Sequence, residues 1–255
     1  NVYTGETLNT YLIPTAAGPV QIVALPWIRR SVYLTREETR GLTQEEVNES
    51  IQKSLSDAIN REAEALDQSI PALFAGHVSV SQATTSSEKS MMLGRDHVLL
   101  QSSIALHQFD YVALGHVHKH QVLGREPLVV YSGSLQRVDF GEEKDEKGFC
   151  VIDIDPAKAR GDRVMDFQFQ AVGARNFLTI SVNISGEDRD PTATVVKSIL
   201  SKHIKDAIVK VVIKLPLDLE GHISEGDIRD ALDGAHFIAG ITKDVTERTR
   251  TRLGK

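Results

Sequence analysis

The sequence predicts an α/β protein in two parts, a strand-rich body over residues 1–173 and a small two-layer α/β unit over 174–255. Three observations carry this reading. Three short apolar runs each close in a polar, glycine-containing turn; one long amphipathic helix precedes them; and the pattern restarts after about residue 174 in a β-α-β-α-β order. Rigid strands that deliver their loops to one end are how an α/β sheet builds a site.

Taken in order, residues 8–13 and 20–28 read as two strands split by a turn at Ala17-Gly18-Pro19. Residues 20–25 are apolar enough for a central strand, which Pro26 ends. Thr43 and Glu46 make a capping box that opens a helix over 43–67, and Val47, Ile51, Leu55, Ile59, Ala63 and Leu66 form its apolar face. The first apolar run, 72–75, closes in Gly76-His77, and a Ser/Thr-rich surface loop is expected over 82–92. The second, 111–114, closes in Gly115-His116-Val117-His118, and the third, 128–131, in Ser132-Gly133-Ser134. A further strand spans 149–154, and 156–163 is a polar hairpin or linker. In the closing unit, strands are expected at 177–184, 207–214 and 236–242. They alternate with helices at 191–203, opened by Asp190 and Pro191, and at 225–233, capped by Ser224.

Composition narrows the function. The formal charge of −6 gives no overall attraction to nucleic acid, so any such contact must be local. The single cysteine, Cys150, excludes an internal disulfide framework and suits a reducing, cytoplasmic setting. No apolar run reaches the roughly 18–20 residues of a membrane span. The chain opens at Asn1 and stops just after a charge-rich stretch, and is expected to be a piece of a longer protein.

Among the histidines, His77, His116 and His118 stand out because each lies at or just beyond a glycine that closes a buried strand. Glycine permits close backbone approach, and neutral imidazole is a common donor to transition metals. These three are the candidate metal ligands, for one ion or for two adjacent ions. His97, His107, His203, His222 and His236 stand alone and are read as ordinary surface or core residues. Three histidines are few for two metals, and no Asp-x-His or Gly-Asp-x-x-Asp sequence supplies bridging carboxylates. Ser132 and Ser134 could offer amides or hydroxyls to a phosphate, or simply form a turn. Arg137 could contact DNA or pair with Asp139 or Glu142, with pairing preferred. Arg29 and Arg30, after a strand end, could bind backbone phosphate. The five basic residues against two acidic over 243–255 are read as a solvated face rather than a phosphate track.

Residues 109–118 (Phe-Asp-Tyr-Val-Ala-Leu-Gly-His-Val-His), 130–142 and 145–149 together resemble the SbcD family of bacterial nuclease subunits, relatives of the meiotic-recombination nucleases. Residues 75–81 and Leu25-Pro-Trp-Ile28 fit the same pattern, as does the closing unit, which is similar to the family's DNA-capping domain. The resemblance implies a calcineurin-like metallophosphoesterase, a β-sandwich flanked by helices with two Mn²⁺ ions, that hydrolyses DNA phosphodiesters as a 3′–5′ exonuclease and endonuclease in break repair. By position it assigns His77 and His116 to one ion and His118 to the other. It places the remaining ligands and the catalytic histidine before Asn1, so no catalytic residue is expected in this chain. It also implies an SbcC-type coiled-coil ATPase partner, a homodimer at full length and a nucleoid-associated location. Two alternatives stay open: a small-molecule phosphoesterase of the same fold, and a non-catalytic DNA-binding or capping module. The chain alone is expected to behave as the latter.

Overall fold

The computed structural model describes residues 3–29, 41–85 and 97–246. The chain forms two compact units, one of residues 1–136 and 145–173 and the other of 137–144 and 174–255. Residues 137–144 thus pack with the second unit although they lie well before residue 174.

The first unit is built on a six-stranded sheet. Its strands are β1 (Asn9–Thr15), β2 (Gly18–Leu25), β3 (Ala72–His77), β6 (Tyr111–Gly115), β7 (Gln121–Arg125) and β8 (Leu128–Tyr131), in spatial order β1-β2-β3-β6-β8-β7. β2, β3, β6 and β8 run parallel, whereas β1 and β7 are antiparallel edges. The three apolar runs therefore do end at one end of the sheet. Two short strands, β4 (Ser79–Val80) and β5 (Val98–Leu99), pair beside it.

Helix α1 (Gln44–Glu64) starts at the expected capping box, in which Glu46 N–H donates to Thr43 Oγ1 and the Glu46 carboxylate accepts from the Thr43 amide. Its buried residues, Val47, Ile51, Leu55, Ile59 and Ala63, share one core with Val23, Phe74, Val112, Val129 and Tyr131. Their four-residue spacing is what a helix needs to lay one stripe on a sheet. Gln21, buried within β2, is satisfied by Asp67, giving its side-chain amide to the Asp67 carbonyl and accepting the Asp67 N–H, both at 2.9 Å.

An antiparallel ribbon, β9 (Gly148–Ile154) and β10 (Val164–Ala171), brings a second layer to this unit. Phe167 packs near Tyr111, and Phe169 stacks on His120 with ring centres 4.0 Å apart. Burial pushes the ionisation of the Tyr111 phenol and of the Cys150 thiol to higher pH. The intervening 155–163 segment is the hairpin turn, tied by Asp155 N–H to the Arg163 carbonyl at 2.9 Å. At the start of β6, Arg163 meets Asp110 in a buried ion pair at 3.3 Å.

The second unit has three parallel strands, β11 (Phe177–Asn183), β12 (Ile208–Pro216) and β13 (Phe237–Thr246), in order β11-β12-β13. Helices α2 (Pro191–Leu200) and α3 (Glu225–Ala231) pack against it through Val195, Ile199 and Ile228 on Val209, Val211 and Ile213. The expected caps are present: Asp190 accepts from Ala193 N–H, and Ser224 from Asp227 N–H. Among the described residues no helix is long and apolar enough to cross a membrane.

Candidate metal centre

Parallel pairing sets the site. His77 ends β3 and lies opposite Gly115, the last residue of β6, so His116 follows at the neighbouring strand end. The imidazole rings of His77 and His116 stand 5.2 Å apart, centre to centre. Glycines create the room. A Cβ on Gly115 would lie 3.1 Å from His77 Nδ1, and one on Gly76 would lie 2.6 Å from the Phe74 ring. The sharp turn itself falls on His116, whose φ is 92°, rather than on the glycine before it. A non-glycine residue in that region stores strain, a feature concentrated at functional sites.

Trp27, two residues past the end of β2, completes a three-ring cluster. Its indole lies 4.7 Å from the His116 ring and 5.8 Å from the His77 ring. Sequence patterning does not single out Trp27 as functional. The available signal is topological: β2 neighbours β3, so residues just past Leu25 must lie beside His77.

His118 is held through its backbone. Its carbonyl accepts the Ser134 N–H at 3.0 Å and Lys147 Nζ at 3.1 Å. The Lys147 side chain is wholly buried and also faces Asp145 at 3.7 Å. His120, two residues on, is half-buried. Its Nδ1 donates to the Tyr131 carbonyl at 2.9 Å while its ring stacks on Phe169. The Tyr131 hydroxyl in turn donates to the carbonyl of Val78, next to His77. The end of β8 is thus tied to both histidine-bearing turns.

Over 143 residues the chain is 28% identical to the SbcD subunit of the SbcCD nuclease from Staphylococcus epidermidis, a match covering 56% of this chain and 36% of that protein. It is 27% identical over 155 residues to the corresponding Staphylococcus saprophyticus protein, covering 60% of this chain and 39% of that one. This chain is similar to SbcD. No family model matches it. The SbcD-like chain matches under two-fifths of the length of each of these relatives.

The other sequence candidates of this SbcD-like chain occupy varied settings. Ser134 spends its amide on His118 and donates its hydroxyl to the Gln136 carbonyl at 2.8 Å, while the Ser132 hydroxyl lies 3.4 Å from the Gly133 carbonyl. Arg137 lies in the second unit, where its guanidinium donates to the carbonyls of Glu142, Ala174 and Arg175. Arg29 is exposed shortly after Trp27; Arg30, most of the 82–92 loop and the end of the basic tail lie outside the described residues.

Two imidazoles at neighbouring strand ends suit nitrogen donors to one transition-metal ion. They do not complete a site, because no group of three or more His, Cys, Asp or Glu side chains among the described residues is arranged around one point. A cavity of about 820 Å³ opens elsewhere among the described residues. It is lined by His107, Asp110 and Arg125, which sit where β6 begins and β7 turns into β8, the end of the sheet remote from His77 and His116, and by Arg160 of the β9–β10 hairpin.

Proposed function

We propose that this chain is part of a metal-dependent DNA nuclease, in which His77, His116 and His118 contribute ligands to a Mn²⁺ centre completed by donors from outside the described residues. The observation that supports it is the His77–His116 ring pair at the ends of adjacent parallel strands, in a chain similar to SbcD. Bound Mn²⁺ would supply Lewis-acid stabilisation of the phosphate and a nucleophile at neutral pH. The residues of this chain orient the donors. Ser134 and Lys147 fix the backbone at His118, and the Tyr131 hydroxyl fixes the backbone beside His77. The reading extends to exonuclease and endonuclease action on DNA ends, an SbcC-type ATPase partner, a homodimer at full length and a nucleoid-associated location in the cytoplasm.

The test is cleavage of labelled duplex DNA by the full-length protein in Mn²⁺. His118→Ala should abolish cutting while leaving the unfolding midpoint close to wild type. Undiminished cutting by that variant overturns the ligand assignment. A second reading applies to the 255-residue chain alone. Because the described residues hold no complete donor set, it is a DNA-binding module that does not cut. Mn²⁺ titration by calorimetry separates the two, since tight binding of two ions by this chain contradicts the module reading.

A further inference from the structure

We propose that the indole of Trp27 is a stacking platform for a nucleobase of a single-stranded DNA end, set beside His77 and His116. The proposal rests on the nuclease reading above and adds to it a residue that contacts the base rather than the phosphate.

Trp27 is the chain's single tryptophan and is 45% exposed. Its exposure is not that of a loose loop. Leu25 on one side is 2% exposed and Ile28 on the other is 7%, both within the core under α1. Between these anchors Pro26 fixes one backbone angle. The half-exposed indole is therefore carried by a pinned segment, outside the apolar core, and lies edge-on and tilted beside two imidazoles. An aromatic ring held in this way loses little conformational freedom when a second ring stacks on it. Every base has a π-face, and each stacked base contributes about 1–3 kcal/mol. The exposed Arg29 brings positive charge to the same stretch, as a phosphate backbone requires. Parallel pairing of β2, β3 and β6 puts this platform next to the ring pair, so a base stacked on Trp27 would bring its own phosphate towards the histidines.

The single tryptophan makes the test direct. A short oligodeoxyadenylate and an abasic strand of equal length and charge are titrated into the protein in EDTA, first following Trp27 fluorescence. The expected result is quenching by the base-bearing strand and weaker quenching by the abasic one. Anisotropy of the labelled strands then gives affinities for variants. Trp27→Ala should weaken binding of the base-bearing strand roughly five- to hundredfold, to the level of the abasic strand, and Trp27→Phe should restore most of it. Equal binding of the two strands, or an unaltered affinity in Trp27→Ala, overturns the stacking role and leaves the nuclease reading standing. Binding of neither strand, with EDTA or with Mn²⁺, overturns both.

Discussion

The Ser134 amide donates to the His118 carbonyl at 3.0 Å, which joins the turn after β8 directly to the turn after β6. Gly133 makes that approach possible. Its φ is +80°, and a Cβ there would lie 2.8 Å from both the His118 oxygen and the His120 nitrogen. Both obstacles are backbone, so neither can swing away. Gly133→Ala should therefore destabilise the first unit by about 2 kcal/mol or more and shift the His118 and His120 ring resonances. Denaturant unfolding and histidine NMR check this. A variant with unchanged midpoint and spectrum would show that the two turns are not in contact.

Arg163 and Asp110 form an ion pair whose side chains are 4% and 0% exposed. The arginine also donates to the carbonyls of Lys158, Gln68 and Ile70, and Asp110 Oδ2 accepts the Ala72 N–H at 2.9 Å. The pair ties the β9–β10 hairpin to the start of β3 and β6. Removing one partner leaves the other charge buried, so Arg163→Ala should cost about 3–5 kcal/mol in denaturant unfolding. A loss below about 1 kcal/mol would mean that water replaces the guanidinium and the hairpin lifts away.

How much of this was legible in the sequence differs by element. The α1 face, from Val47 to Ala63, is read directly because a four-residue apolar spacing has one physical solution beside a sheet. The three site-bearing strand ends are legible for a similar reason, being apolar runs that stop at glycine. β7 and β10 are not. β7 is an edge with the sequence Gln-Val-Leu-Gly-Arg, and β10 alternates without a buried residue, so neither carries the apolar run that marks a central strand. The 156–163 segment reads equally as hairpin or linker until β10 is known to return along β9. At the site, local pattern finds His77 and His116 but not their meeting, which depends on β3 lying next to β6. Trp27 and the buried Lys147 lie in segments that carry the family resemblance, but only pairing across the sheet shows what they touch.

The cap of α1 carries a pH dependence. The Thr43 amide, and then its hydroxyl, hold the Glu46 carboxylate below the usual glutamate range. A carboxylate with a depressed folded value contributes stability above its unfolded pKa, near 4.3, and loses it as pH falls through the folded value. Thr43→Ala should lower stability at neutral pH by about 1 kcal/mol through the lost cap. The gap from wild type should narrow below about pH 4 as Glu46 takes up its proton. Thermal unfolding at several pH values measures it, and a gap that widens in acid contradicts the capping-box account.

His116 allows the strain at the site to be measured apart from its chemistry. Its backbone sits at φ 92°, where a Cβ is unfavourable whatever the side chain. His116→Ala removes the imidazole and its contacts with Trp27 and His77 but keeps that penalty. His116→Gly removes both. If the penalty is present, the glycine variant should be the more stable of the two by roughly 1 kcal/mol, despite the greater freedom glycine gives the unfolded chain. Both variants should lose any metal binding that depends on this imidazole, so stability and ligation would move independently. An alanine variant as stable as the glycine one would show that the turn relaxes once the imidazole is gone, and that the ring cluster with Trp27 and His77 is what holds the strained backbone in place.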